Sequence, residues 1–420
     1  MKIKVVEKSI DEVMALPGYS LEKPVKQNRF FRWLLKTVSA GDLKQVNFTC
    51  RKIGMEKLGK EEPCLVLMNH SSFIDLKIAS TVLYPRQFHI VCTADGFVGK
   101  EWLMRHIGCI PTFKFVTDMK LVKDMVYCLR DLKSSVLMYP EASYTFDGTA
   151  TPLPQSVGKL LKVLKVPVVM IRTNGAFTRD PLYNNLQLRQ VDVSATVTYL
   201  LSPEQIKEKS VSELNGILKE QFTLDNFRWQ QENRIAVTED FRADGLHRVL
   251  YKCPVCGAEG KTEGKGTGLT CKACGKGWTL DEYGYLRAVE DSSAGFTHVP
   301  DWYAWERACV KKEIEEGRYL LDIPVDILAM VNTDAVYRVG EGRLVHDREG
   351  FHLTGCEGKI DYRQSRKMSY SLYSDYFWYE IGDMISIGDT KIQYYCFPKK
   401  EAIVAKARLA AEEMFKMSAM

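Results

Sequence analysis

Leu65-Val66-Leu67-Met68-Asn69-His70-Ser71-Ser72-Phe73-Ile74-Asp75 is a short apolar run that ends on a histidine, with an aspartate five residues further on. The polar turn Gly59-Lys60-Glu61-Glu62-Pro63 precedes it, and Leu76-Lys77-Ile78-Ala79-Ser80 continues in helical character. The pattern predicts a buried strand feeding a helix, with Ser71 or Ser72 as cap and His70 at the junction. Residues five apart lie on different faces of a helix, so His70 and Asp75 meet only if His70 is still in the loop and Asp75 is in the first turn. In that arrangement the carboxylate fixes one imidazole tautomer and leaves the other nitrogen as a base. A capping box at Ser72-Phe73-Ile74-Asp75, with His70 a satisfied junction residue, fits the same residues.

Outward from this stretch, residues 46–201 alternate strand and helix. Strands are expected at 47–53, 64–68, 88–92, 108–115, 135–139, 166–172 and 191–200, and helices from 74, near 102, at 119–133 and at 156–164. Such alternation implies an α/β sheet whose sites lie at the carboxyl ends of its strands. His70 and the segment after Tyr139 both fall at such ends. Residues 204–234 read as polar helices with packing and linker roles.

Four segments in order then carry a resemblance: Asn69-His70-Ser71-Ser72-Phe73-Ile74-Asp75; Gly108-Cys109-Ile110-Pro111-Thr112-Phe113-Lys114; Tyr139-Pro140-Glu141-Ala142-Ser143-Tyr144-Thr145; and Val166-Pro167-Val168-Val169-Met170. Over residues 25–245 the chain resembles the 1-acylglycerol-3-phosphate (lysophospholipid) acyltransferase family. The resemblance implies acyl transfer from a thioester, acyl-CoA or acyl carrier protein, to a lipid hydroxyl. His70 would be the base, Asp75 would orient it, and Lys114, Glu141 and Ser143 would bind substrate. The third block departs from the family's Pro-Glu-Gly-Thr-Arg: Tyr144 stands in place of arginine and cannot make a charged fork to phosphate. Lys114 for arginine keeps charge but loses the fork, and Met170 replaces a common proline. These departures favour an acceptor whose phosphate is absent, diesterified or read elsewhere, for instance by Arg172 or Arg179. The rival reading is a catalytically silent lipid-binding adaptor.

Downstream, Cys253-Pro254-Val255-Cys256-Gly257 and Cys271-Lys272-Ala273-Cys274-Gly275 place two Cys-x2-Cys pairs fourteen residues apart. Four thiolates at this spacing predict a closed tetrahedral zinc site, structural because no position is left open for substrate. The segment resembles a zinc ribbon. A scaffold between two domains is preferred to a nucleic-acid module, despite Lys252, Lys261, Lys265, Lys272 and Lys276. After a linker at 288–293, a helix at 301–316 and strands at 319–331, 335–339, 342–346, 350–353, 367–373, 376–380, 384–387 and 391–397 precede a helix at 400–417. The order is similar to a pleckstrin-homology or GRAM-like domain. His346 and His352 read as strand residues.

The expected architecture is thus a mixed-sheet α/β acyltransferase domain at 1–245, a zinc ribbon at 246–290 and a β-rich domain closed by a helix at 291–420. Apolar content of 45% supports real cores, and the twelve cysteines, mostly single, suggest reduced thiols. No run reaches the roughly 18–20 apolar residues that span a bilayer, and the start lacks a signal-peptide core. Net charge is +5, but residues 23–60 carry ten Lys or Arg against Asp42 and Glu56. A helix at 28–40 puts Phe30, Phe31, Leu34, Leu35 and Val38 on one side, Arg29, Arg32 and Lys36 on another and Trp33 at the boundary. These features predict a cytoplasmic protein that lies peripherally on the inner face of a membrane, with a lipid acceptor as partner.

Overall fold

The computed structural model describes residues 2–19, 22–116, 118–290, 295–400 and 402–418. An opening strand, β1 (Val5–Glu7), belongs to a sheet formed much later in the chain. The first large sheet comprises β2 (Thr49–Ile53), β3 (Leu65–Met68), β4 (Phe88–Thr93), β5 (Cys109–Thr112), β6 (Ser135–Met138), β7 (Val168–Asn174) and β8 (Ser194–Leu201). Its spatial order is β2-β8-β7-β3-β6-β4-β5. Every pairing is parallel except β7 with β8. All four residues of the central β3 are fully buried. Helices cover both faces of a parallel sheet, which is why this strand is a continuous apolar run rather than an alternating one. Leu67 pairs with Met138 on one side and Met170 on the other, so the ends of β3, β6 and β7 lie side by side.

The second sheet is a four-stranded antiparallel one, β9 (Thr262–Lys265), β10 (Gly268–Cys271), β11 (Gly277–Leu280) and β12 (Leu286–Ala288), in the order β12-β11-β10-β9. The third holds β13 (Leu321–Met330), β14 (Val336–Asp347), β15 (Gly350–Gly355), β16 (Ile360–Ser365), β17 (Tyr373–Trp378), β18 (Gly382–Gly388) and β19 (Gln393–Pro398). Two antiparallel meanders, β13–β16 and β17–β19, join where β13 pairs with β19. β1 adds to β14 in parallel, so the start of the chain completes the last sheet. The closing helix Val404–Ser418 packs on the helix Val299–Glu315.

The α/β elements lie within a few residues of their expected positions; the C-terminal strands differ more. The strands expected at 335–339 and 342–346 are one: β14 runs unbroken through Gly340-Glu341-Gly342. A Cβ on Gly342 would meet Thr354 O at 2.4 Å and Ile327 Cδ1 at 2.6 Å, so glycine is there for close approach, not for reversal. The strand expected at 367–373 is a loop, with β16 before it and β17 after it. The linker at 288–293 and the helix at 400–417 each fall partly outside the described residues.

One apolar cluster runs through all three regions. It includes Phe146, Phe177 and Phe227 of the α/β domain, Leu269 and Trp278 of the small sheet, and Ile327, Leu353, Leu409 and Met414 beyond. A separate cluster joins Ala94, Val98 and Phe113 at the ends of β4 and β5 to Leu328, Met330, Tyr373 and Trp378. The C-terminal sheet is therefore packed against the carboxyl edge of the α/β sheet, where such folds hold their sites.

Candidate active site

β3 delivers His70 to the sheet's edge, and the helix Asp75–Val82 begins one turn later. His70 Nδ1 lies 3.0 Å from Asp75 Oδ2. The same oxygen accepts the backbone N–H groups of Ser71 at 2.8 Å and Ser72 at 3.1 Å. The expected capping box is half formed, since Asp75 takes Ser72 N–H but the helix has no side-chain N-cap; Ser72 instead bonds Asp180. Asn69 locks the junction by accepting Thr173 N–H at 2.8 Å and donating to Ser71 Oγ at 2.8 Å. With Asp75 ionised, Nδ1 carries the imidazole proton and Nε2 keeps its lone pair.

Burial, with Lys114 adding to it, holds His70 well below the ordinary histidine range. Burial pushes Asp75 up to about 7, against the pull of the two backbone N–H groups. The His70 side chain is 14% exposed. Its two faces are covered by tyrosines: Tyr139 with ring centroids 4.0 Å apart and Tyr144 at 3.8 Å. Tyr144 stacks in turn on the exposed Phe73 at 5.2 Å. A small cleft beside His70 is lined by Asn69, Ser71, Glu141, Thr145 and Asn226 among others.

The residues expected to bind substrate are held by the protein itself. Glu141 accepts His70 N–H at 2.9 Å through one oxygen and Thr151 N–H at 2.9 Å through the other. It thus ties the third block to the end of β3 rather than capping a helix. Ser143 Oγ accepts from Arg408 Nη2 at 2.7 Å, and Tyr144 O accepts from Arg408 Nη1 at 3.1 Å. Lys114 sits 4.2 Å from the centre of the Tyr373 ring, facing Asp375 and Asp95. Arg179 is buried against Asp180 at 3.0 Å, whereas Arg172 on β7 is half-buried. Ala142 adopts φ 57°, a left-handed conformation that glycine accommodates more readily. Nothing in the sequence marked Tyr139 as a partner of His70, or Arg408 at all; the bond from Arg408 to Ser143 spans 265 residues.

The four cysteines also converge. Their sulfurs all lie within 4.8 Å of one another, with Cys253–Cys274 and Cys256–Cys271 each at 3.8 Å. Sulfurs about 2.3 Å from a central tetrahedral ion would be about 3.8 Å apart, so these residues fit a metal ion. Gly257 and Gly275 take φ 73° and 75° and donate to Cys253 O and Cys271 O, closing both knuckles. His346 and His352 are strand residues, paired with Tyr319 and Asp361.

Comparison with known proteins adds a likeness. Residues 49–173 match the family model described as Acyltransferase. Among solved structures, the chain is similar to the crystal structure of the 1-acyl-sn-glycerophosphate (LPA) acyltransferase, PlsC, from Thermotoga maritima. That likeness has 15% identity and a TM-score of 0.38, over 46% of this chain and 76% of the other. No curated protein matches. The segment that matches the acyltransferase family model contains β3, His70, Asp75, Lys114 and the whole third block.

Proposed function

We propose that the protein transfers a fatty acyl chain from acyl-CoA or acyl carrier protein to a hydroxyl of a lysophospholipid or related lipid. The observation that carries this reading is the His70–Asp75 contact at 3.0 Å, formed at the end of β3 within the matched segment. His70 Nε2 takes the proton of the acceptor hydroxyl as its oxygen attacks the thioester carbonyl. The tetrahedral intermediate then expels the thiolate, which recovers a proton from His70. Asp75 holds the tautomer this sequence needs. No acyl-enzyme forms.

The third block supports an acceptor without a phosphate monoester at this position, because Tyr144 replaces a guanidinium and Ser143 is engaged by Arg408. With about 10 Å³ open to a water-sized solute, the cleft is far smaller than the roughly 300–1,000 Å³ usual for ligand sites. Acyl and acceptor chains therefore require the cleft to open.

Access is from a membrane surface. Among the described residues no helix is long and apolar enough to cross a membrane. The helix Arg29–Gln45 turns Ser39 and Leu43 inward and leaves Phe30, Trp33 and Val38 exposed. Phe31 meets the exposed Trp102 edge-on at 5.9 Å, so two helices share one aromatic patch beside Arg29, Arg32 and Lys36. Aromatic and basic side chains together suit the interface of an anionic bilayer. This helix packs against Asp75–Val82, so the membrane patch abuts the helix that carries Asp75. The cysteine cluster holds a structural zinc ion in this reading.

The deciding experiment measures labelled acyl transfer from both donors into lysophosphatidic acid, lysophospholipids and neutral lipid alcohols, comparing wild type with His70→Ala. Transfer that disappears with His70 and prefers a diester or neutral acceptor is expected. Preference for lysophosphatidic acid would overturn the acceptor assignment. No transfer from either donor would favour a lipid-binding adaptor.

A further inference from the structure

We propose that Tyr139 and Tyr144 clamp the two faces of His70 to stabilise the imidazolium that it becomes during acyl transfer, and that Arg408 holds Tyr144 in this clamp. The inference rests on the reading of His70 as the base. It gives both tyrosines a positioning role that acts through the imidazole.

The geometry is a column of four rings, Tyr139, His70, Tyr144 and Phe73. Successive planes are inclined by 20°, 30° and 20°. Tyr139 follows β6 and His70 follows the adjacent β3, so one ring contact is set by sheet register. Tyr144 reaches the opposite face from the third-block loop. Asp75 takes one edge of the imidazole at Nδ1, which leaves Nε2 as the remaining polar edge for the acceptor.

The chemistry explains why such a clamp is useful. When the acceptor O–H bond breaks and the Nε2–H bond forms, positive charge appears on His70. Burial and Lys114 both oppose that charge. Asp75 offsets part of it; Glu141 faces the His70 backbone, and Asp180 lies behind Ser72. Across the domain boundary, Asp375 partly answers Lys114. Aromatic faces carry negative potential, and a desolvated cation between two of them is stabilised more than a neutral ring. Because the gain is larger for imidazolium than for imidazole, it lowers the barrier rather than merely tightening the resting site.

The clamp depends on Tyr144 staying in place, and the C-terminal domain supplies the support. Arg408 donates to Tyr144 O and Ser143 Oγ, and its guanidinium lies 4.4 Å from the centre of the Phe146 ring. Tyr370 donates its hydroxyl to Pro140 O at 3.3 Å, pinning the other end of the same loop. The tyrosine where the family has arginine thus trades an anion contact for a cation contact.

The test titrates His70 by NMR in the full chain labelled at histidine, assigned by difference from His70→Ala, in parallel with pH–rate profiles. Tyr144→Leu should lower the apparent pKa of the His70–Asp75 pair, move the acid limb of the profile to lower pH and cut kcat by about tenfold with KM little changed. Tyr144→Phe and Tyr144→Trp should keep both the titration and the rate near wild type, since the ring face and not the hydroxyl does the work. An unchanged His70 titration in Tyr144→Leu would overturn the proposal, as would Tyr144→Phe falling as far as Tyr144→Leu. Should Tyr144→Leu fail to fold, Tyr139→Leu and Tyr139→Phe pose the same question from the other face. The titration needs no substrate, so absence of acyl transfer would defeat the acyltransferase reading without deciding the clamp.

Discussion

One oxygen of Asp75 accepts from His70 and from two backbone N–H groups, while its other oxygen, Oδ1, is buried with no hydrogen-bond partner. A carboxylate so placed is costly to ionise, and burial raises it to about 7. The sign follows directly: above that value Asp75 is ionised and orients His70, the proposed base, and as pH falls through about 7 the pair gains a proton and that base would be lost. Acyl transfer should therefore rise with pH through about 7 and then level off. Asp75→Asn, which keeps the size but not the charge, should lower kcat roughly 10²–10⁴-fold and remove that limb from the profile. A variant retaining both rate and limb would show that another group controls the base. His70 and Asp75 were legible in the sequence because strand, loop and first helical turn are local patterns. The partners of Lys114 and Ser143 were not: Tyr373 and Arg408 arrive from the C-terminal region, and no spacing rule encodes them.

At the scale of elements, the cysteine knuckles were read correctly as a unit because two residues and a glycine define the turn locally. Their strands β9 to β12 are too short to stand alone, so the zinc ion proposed for the four cysteines would, with the surrounding contacts, hold them together. Trp278 and Trp302 pack at 4.9 Å, and Trp302 Nε1 donates to Lys252 O, the residue before Cys253. These indoles should report the state of the knuckles. Treatment with a strong chelator, or Cys271→Ser, should release zinc, red-shift tryptophan emission and lower the melting temperature. Emission unchanged after measured metal loss would contradict a structural role. In the C-terminal sheet, the two strands expected at 335–339 and 342–346 are one, because glycine serves two purposes. Gly342 and Gly355 make room for Ile327 within paired strands, yet in sequence they look like punctuation.

At the scale of the whole molecule, an α/β sheet followed by a β-rich region with a closing helix was legible, and the fusion of their cores was not. Composition shifts mark boundaries, whereas the continuous core shared by Phe146, Trp278 and Leu409 depends on tertiary contacts. Its polar counterpart is the buried network in which Glu412 meets Arg408 at 3.3 Å, Arg307 at 2.7 Å and Ser371 at 2.7 Å. Removing one member leaves charge and hydrogen-bonding groups unpaired away from water. Arg408→Met should accordingly destabilise the protein by about 3 kcal/mol, read from denaturant unfolding. A cost near that of a surface substitution would mean that the interface relaxes freely.

The pairing of β1 with β14 also bears on how the chain is made. Val5 meets Val336, so this strand leaves the ribosome about 330 residues ahead of its partner. At roughly 5–20 residues per second it waits tens of seconds with an open edge. Its two lysines, Lys2 and Lys4, lie immediately before that edge, and charge beside an unpaired strand discourages premature pairing with other chains. The sheet that packs over the edge of the α/β sheet thus waits on a strand laid down about 330 residues before its partner.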